Sequence, residues 1–356
     1  MKRLKRGTFE QVISIENLRM AEYNAYRSRK NKPDAIRIHE DSERYIQKLH
    51  DDLASGSFKK ATYRTFKKYS QTSGKIRDIC ELRYYPEVII QYAIANICEP
   101  VWRRQITADV YCGVKGRGGH QCSRNVYTAV KTLEREGKPV YALKIDIRKF
   151  YESVDHNVMM QRVSSSIKDV KLLSLIEVFV RSYKGLGIGW LLSNYFQNVY
   201  LSGFDNYVKQ VLKVRYYFRY CDDMVFISDN KSELHALLVA INDYLHEILN
   251  LDVKCNYQVF PVSKRGIDFC GFVVDYTGIR LRKSIKVRMK RRLRNIGEME
   301  DSALTVHELS SYHSYMGFLA NCTQKYKSNL KQTIDYECNG ITTRIERLQN
   351  RKASKT

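Results

Sequence analysis

Two adjacent carboxylates, Asp222 and Asp223, lie between two runs of aromatic and β-branched residues in YYFRYCDDMVFIS, residues 216–228. Each run has the composition of a short strand, so the acidic pair falls where a tight hairpin turn belongs. No other stretch constrains the fold as much. Like charges fixed side by side repel, and an architecture that holds them needs a compensating cation. Mg²⁺ suits the position, because a hard ion takes carboxylate and phosphate oxygens together. That is the arrangement of a metal-dependent phosphoryl-transfer site. By itself the pair is also an ordinary turn, since Asp tolerates turn geometry, so the rest of the chain decides.

The 356 residues suggest two or three domains or subdomains. Lys and Arg number 61 against 38 Asp and Glu, a formal net charge of +23. Such a balance favours a polyanionic partner, nucleic acid before a membrane surface. No apolar run is long enough to span a bilayer, and the basic start MKRLKRGTFEQ lacks the apolar core of a secretory signal. The nine cysteines are scattered and never spaced C-x-x-C, which fits reduced thiols in a cytoplasm. Cys112, His120 and Cys122 lie close enough in sequence for zinc, but no fourth ligand stands at a recognised spacing. No internal repeat or low-complexity segment occurs.

Apolar residues at three- and four-residue spacing over 16–27 and 41–53 predict a helix pair. Residues 58–82 alternate basic and aromatic side chains about Ser73-Gly74, a hairpin with a cationic face. Lys75 and Arg77 share one side of a strand there and suit a nucleotide triphosphate; a solvated edge strand accounts for them equally well. Residues 86–105 read as a buried helix with Pro86 near its start and Pro100 near its end. The basic, glycine-rich GVKGRGGH precedes a helix from about residue 123 and suits a nucleic-acid backbone, but it lacks the Gly-Lys-Ser/Thr ending of a P-loop.

Residues 140–147 alternate like a strand, with Tyr141, Leu143, Ile145 and Ile147 on one side and Asp146 on the other. A carboxylate in an apolar strand is costly unless paired or metal-bound. Lys144 and Arg148 are the partners at hand, and a metal is the alternative. An amphipathic helix over 167–184 leads to a turn at 185–189 whose glycines allow backbone close to a base pair or sugar. Helices follow over 191–212 and 231–251, and strands over 253–259 and 267–274. From residue 280, RLRKSIKVRMKRRLR carries nine basic residues in fifteen, with Leu281, Ile285, Met289 and Leu293 forming an apolar stripe. No anion within the stretch balances them, which favours a phosphate backbone as partner. Helices over 306–322 and 327–349 end the chain, and 351–356 are expected to fray.

This order of elements resembles a reverse transcriptase over about residues 57–322. LKIDIRKFYESVDH resembles the first catalytic motif, FRYCDDMVFIS the second, and GIDFCGFVV the primer-grip motif. The resemblance implies an α+β right-hand polymerase fold. Residues 1–56 would be an N-terminal helical extension and 57–138 the fingers. An antiparallel-sheet palm would cover 139–279, with a helical insertion near 157–190, and a basic α-helical thumb and tail 280–356. It implies attack of a primer 3′-hydroxyl on the α-phosphate of a deoxynucleoside triphosphate. Asp146, Asp222 and Asp223 would hold two Mg²⁺ ions, for which Mn²⁺ can substitute, assisted by the Ile147 carbonyl. Lys75 and Arg77 match residues on the triphosphate, and Tyr151 the residue that excludes a 2′-hydroxyl. Lys254 matches a lysine suited to protonating pyrophosphate. Ile188 and Gly189 fall at the nascent pair. Ser193, Phe269, Gly271, Arg282, Lys283, Lys286, Lys290 and Arg291 fall in segments that hold primer and template.

Within that family, an aliphatic residue replaces the usual Gln before Gly189. Ile188-Gly189-x-x-x-Ser193 is similar to the diversity-generating retroelement type, with Asn194 where those enzymes carry Gln. GVKGRGGH, QVFPVSKRGIDFCGF and the short basic thumb add to the similarity. That type copies template RNA into cDNA with errors at adenines and works with a small basic accessory protein. Ile188 cannot hydrogen-bond, so it cannot enforce pair geometry that way. The alternatives are an anti-phage or other single-domain enzyme using a non-coding RNA, and an RNA-binding protein without catalysis. A group II intron enzyme is disfavoured, because the chain ends at 356 without room for a maturase or endonuclease domain. The expected setting is the cytoplasm of a bacterial or phage-infected cell, with no membrane partner.

Overall fold

The computed structural model describes residues 3–70, 74–338 and 340–345. Ser73, the last residues of the helix expected over 327–349 and the fraying expected at 351–356 lie outside these, as does the side chain of Lys75. The chain divides into two compact units: Met1–Lys115, Ile145–Met224 and Ala236–Tyr257 in one, and Gly116–Lys144, Val225–His235 and Gln258–Thr356 in the other.

In the first unit, helices α1 (Thr8–Ile13), α2 (Ile15–Arg29), α3 (Pro33–Glu40) and α4 (Ser42–Ala54) open the chain. Local chemistry sets their starts: the Ser14 hydroxyl accepts the Asn17 N–H, and Pro33 takes the first turn of α3, where no N–H is needed. They bury Val12, Leu18, Ala21, Ile46 and Leu49. Strands β1 (Tyr63–Ser70) and β2 (Lys75–Leu82) pair antiparallel from Tyr63↔Leu82 to Ser70↔Lys75, as the alternating pattern predicts. Helix α5 (Ile89–Arg103) is apolar on most of its surface and continues through Pro100. Asn17 Nδ2 donates to Ala93 O at 3.1 Å, tying α2 to α5.

Helix α6 (Gly119–Arg135) starts four residues earlier than expected. Gly118 caps it and Gly119 opens its first turn, so the end of the glycine-rich stretch is a helix start rather than a free loop. Strand β3 (Tyr141–Asp146) is followed by α7 (Phe150–Ser153), α8 (His156–Ser166) and α9 (Val170–Arg181). The Asp155 and Asp169 side chains cap α8 and α9. Helix α10 (Leu191–Asn206) ends before residue 212, in a wider turn over Tyr207–Val211.

Strands β4 (Tyr216–Tyr220) and β5 (Asp223–Ser228), helix α11 (Lys231–Leu249) and strand β6 (Gln258–Pro261) complete the central part. The four-stranded sheet runs β4-β5-β3-β6, and β3 pairs β6 antiparallel from Tyr141↔Pro261 to Lys144↔Gln258. The continuous strand expected over 253–259 does not form. Val253 makes a single bridge to Ile147, the chain turns at 255–256, and the ladder resumes at Gln258. The single strand expected over 267–274 is instead a hairpin of β7 (Ile267–Phe269) and β8 (Phe272–Asp275), with β9 (Gly278–Leu281) added alongside. Cys270 at φ 51° and Gly271 at φ 85° both take the left-handed geometry that a two-residue hairpin turn requires.

Helices α12 (Lys283–Gly297), α13 (Val306–Ala320) and α14 (Gln324–Glu337) follow. Ile285, Met289 and Leu293 are buried, as the four-residue stripe predicts. The helix expected over 327–349 breaks at Cys338. The Cys338 carbonyl lies so close to Gly297 that a Cβ there would sit 2.4 Å from it. Among the described residues no helix is long and apolar enough to cross a membrane.

Candidate active site

Asp146 ends β3, and Asp222 and Asp223 close the β4–β5 turn. The bridge of Ile147 to Val253 is of the kind in which the flanking residues make the bonds: Lys254 N–H donates to Asp146 O at 2.9 Å and Arg148 N–H to Asp252 O at 2.8 Å. Ile147 therefore turns its own polar groups the other way, and its N–H donates to Asp222 O at 3.4 Å. The two acidic segments are thereby stitched together through their backbones. Asp146 is not paired by Lys144 or Arg148, the partners nearest in sequence. Its Oδ2 pairs with the Lys254 ammonium, while Lys144 Nζ donates to Asp268 O at 2.6 Å.

Asp146 Oδ1 is buried without a hydrogen-bond donor. Beside it, burial and then the Asp146 charge push the Asp222 carboxyl up to about 7, with Asp223 adding to the rise. Two carboxylates thus lie close together, and their like charges disfavour ionising both. The donor set is all hard oxygen, which fits Mg²⁺ or Mn²⁺. Among the described residues no three His, Cys, Asp or Glu side chains converge on one point. A cation here would therefore draw on the two carboxylates together with backbone and substrate oxygens.

The turn is held from behind by Arg219. This guanidinium is fully buried against Asp205, donating from Nε to Oδ1 at 2.7 Å and from Nη2 to Oδ2 at 2.6 Å. Its Nη1 donates to Asn198 Oδ1 at 3.2 Å and to Cys221 O at 3.0 Å. Cys221 itself has φ 56°. Sequence reasoning passed over Arg219, although the signal was present: a charge in an apolar strand needs a partner, the logic already applied to Asp146.

Tyr151 is half-buried, and its hydroxyl donates to Gln197 Oε1 at 3.1 Å, a partner also missed. Burial raises its pKa, and Arg77 lies near enough to act against that rise. The glycine turn packs closely on the protein. Leu186 N–H donates to Tyr151 O at 2.7 Å, and a Cβ on Gly185 (φ 66°) would lie 2.1 Å from that oxygen. Cys80 N–H donates to Ile188 O at 2.9 Å, fixing the turn to β2. Ile188 is half-buried and Gly189 exposed, whereas Ser193 is buried with an unpartnered hydroxyl.

The remaining predicted residues belong to the second unit. Phe269 is fully buried, and a Cβ on Gly271 would lie 2.8 Å from Ile285 Cδ1, so both shape the hairpin that packs on α12. The basic stretch is not without anions. Arg282 Nε donates to Asp268 at 2.6 Å and Lys290 to Glu337 at 2.8 Å, while Arg292 pairs with Glu308 at 3.1 Å and Arg280 with Asp275. All four carboxylates come from outside the stretch. Lys283 and Arg291 are exposed and Lys286 half-buried. His120 sits edge-on to Phe272 and Phe318, and Cys122 is buried, which accounts for both without zinc.

Arg219→Met leaves the Asp205 charge buried without a counter-charge, and should cost about 3–5 kcal/mol in urea unfolding. Adding Asp205→Leu should recover at least half of the loss; a single variant within about 0.5 kcal/mol of wild type would show that the pair is dispensable. Asp222 gives a pH signature. Its folded pKa is raised, so its contribution is present below about 4, is lost as pH rises through about 7, and leaves the metal-free protein weaker at pH 8. Asp222→Asn should flatten that decline. Millimolar Mg²⁺ should raise the melting temperature at pH 8 in wild type and not in the variant. Equal pH profiles for the two proteins would refute this assignment.

Comparison with known proteins places this site in context. Residues 66–274 match the reverse transcriptase (RNA-dependent DNA polymerase) family. The group II intron-encoded protein LtrA of Lactococcus lactis subsp. cremoris is 27% identical over 187 residues, covering 49% of this chain and 30% of LtrA. The chain thus spans under a third of that relative's length. Protein YkfC of Escherichia coli strain K12 is 21% identical over 275 residues, covering 64% of this chain and 70% of YkfC. Apo telomerase from Candida tropicalis shares the fold, with a TM-score of 0.52 at 12% identity over 83% of this chain and 59% of that one. Because the family match takes in Asp146, Asp222 and Asp223 and covers more than half of the sequence, this chain belongs to the reverse transcriptase (RNA-dependent DNA polymerase) family.

Proposed function

We propose that this protein is an RNA-directed DNA polymerase that makes cDNA from an RNA template. The observation that carries the reading is the donor-less contact of Asp146 with Asp222, in a segment matching the family. Asp146, Asp222, Asp223 and the Ile147 carbonyl hold the metal ions in this reading. Bound there, two Mg²⁺ ions would supply the charge that lowers the pKa of a primer hydroxyl and offsets that of a leaving pyrophosphate. Lys254 keeps a cation at Asp146 until then, and supplies a proton donor beside the leaving group. Tyr151, fixed by Gln197, occupies the space that a ribose 2′-hydroxyl would need. Lys75 and Arg77 meet the triphosphate, and the exposed cations of α12 follow the duplex backbone. Residues 57–138, 139–279 and 280–356 then act as fingers, palm and thumb, with 1–56 as an extension.

The finer assignment, to the error-prone diversity-generating type with a small basic accessory protein, is favoured by Ile188. Its carbonyl is tied to β2 and its side chain offers the nascent pair no hydrogen bond. Purified protein with Mg²⁺, the four deoxynucleotides and an RNA template should yield cDNA, and Asp222→Asn should reduce it about a thousandfold or more. Substitutions clustered at template adenines support the diversity-generating type; faithful copies, repeats or homopolymer point to a defence enzyme using a non-coding RNA. RNA binding that persists while no template or primer ever gives Asp222-dependent product would overturn the polymerase reading.

A further inference from the structure

The first unit also brings together two cysteines from distant parts of the sequence. Val110 and Arg219 form a parallel β-bridge, in which Arg219 N–H donates to Asp109 O at 2.9 Å and Tyr111 N–H to Arg219 O at 3.0 Å. Neighbouring chains in such a bridge run about 4.8 Å apart. Two residues further along each chain the backbones are still neighbours, although Cys221 leaves the extended geometry at φ 56°. Those residues are Cys112 and Cys221, and their thiols lie near enough to interact. Both backbones are pinned there: Asn198 Nδ2 donates to Cys112 O at 2.9 Å, and Arg219 Nη1 to Cys221 O. Cys112, Cys221 and Cys270 are half-buried and Cys255 is exposed, whereas Cys80, Cys98, Cys122, Cys322 and Cys338 are buried.

We propose that Cys112 and Cys221 form a reversible disulfide that switches the polymerase site off, an inference that rests on the polymerase reading above. With hydrogen peroxide as oxidant, one sulfur attacks the peroxide oxygen, giving a sulfenic acid and one water. The second sulfur displaces the hydroxyl as another water, and the S–S bond forms. Two thiols are oxidised by two electrons and one peroxide is reduced. The S–S bond of about 2.05 Å is far shorter than a thiol–thiol contact. Closing it draws on the turn at Cys221, whose next residue is Asp222. It also moves Cys112 Sγ relative to Gln197, whose Nε2 lies 3.9 Å away and whose Oε1 holds the Tyr151 hydroxyl. Displacements near 1 Å in such a site lower rates by about a hundredfold.

The test treats the full chain with hydrogen peroxide, maps disulfides by mass spectrometry, and measures primer extension before oxidation, after it, and after dithiothreitol. The expected result is a Cys112–Cys221 cross-linked peptide, at least a tenfold loss of extension by order of magnitude, and recovery on reduction. Cys112→Ala, compared with its own untreated rate, should resist peroxide. The proposal is overturned if only the exposed Cys255 is oxidised, if the cross-link forms with extension unchanged, or if Cys112→Ala is equally sensitive. A reduced wild-type protein that never extends a primer overturns the polymerase reading instead, and the peptide map then decides the disulfide by itself.

Discussion

The buried ion pair of Arg219 with Asp205 is the interaction on which the site depends. Burying two charges is costly, and the cost is offset only where every donor and acceptor finds a partner. Here the guanidinium reaches Asp205 twice, Asn198 and the Cys221 carbonyl, and Asp205 also accepts from the Tyr217 hydroxyl at 2.8 Å. One side chain thus fixes helix α10, which carries Gln197 and Asn198, to the turn that presents Asp222. Its main contribution is geometric: well-packed apolar residues could supply similar stability without specifying where the turn sits.

Against that rigid backing stands a deliberate electrostatic conflict. Asp146 and Asp222 are stitched together by the backbone, through Ile147 N–H to Asp222 O, which brings their side chains close. Lys254 relieves only one oxygen of Asp146. The remaining repulsion, together with burial, raises Asp222 and leaves the metal-free site weaker than it could be. A perturbed group of this kind in a position unsuited to packing marks a functional site, because binding a cation releases the conflict that folding stored.

Much of this was legible in the sequence because it is local. The β4–β5 hairpin, the β1–β2 hairpin and the buried stripe of α12 follow from periods of two and of about four residues. What escaped was mostly tertiary. The fifteen-residue basic run looked unbalanced because Asp268, Asp275, Glu308 and Glu337 reach it only through the fold. The Cys270-Gly271 turn was read as strand because Cys is an uncommon residue at φ above zero. The glycines at 185 and 189 were read for close approach to a substrate; that they also admit the backbones of Tyr151 and β2 is tertiary. The Cys112–Cys221 contact depends on a parallel bridge between segments that no local pattern links.

The central claim is that these carboxylates form a cation site of the nucleotidyl-transfer kind. Electron paramagnetic resonance of Mn²⁺ tests it most directly, on the full chain with a primer–template and a non-hydrolysable deoxynucleotide. The account predicts about two bound Mn²⁺ ions per chain, magnetically coupled, with the coupling lost in Asp222→Asn. Mn²⁺ binding that is absent, or that Asp222→Asn leaves unchanged in number and coupling, would contradict it.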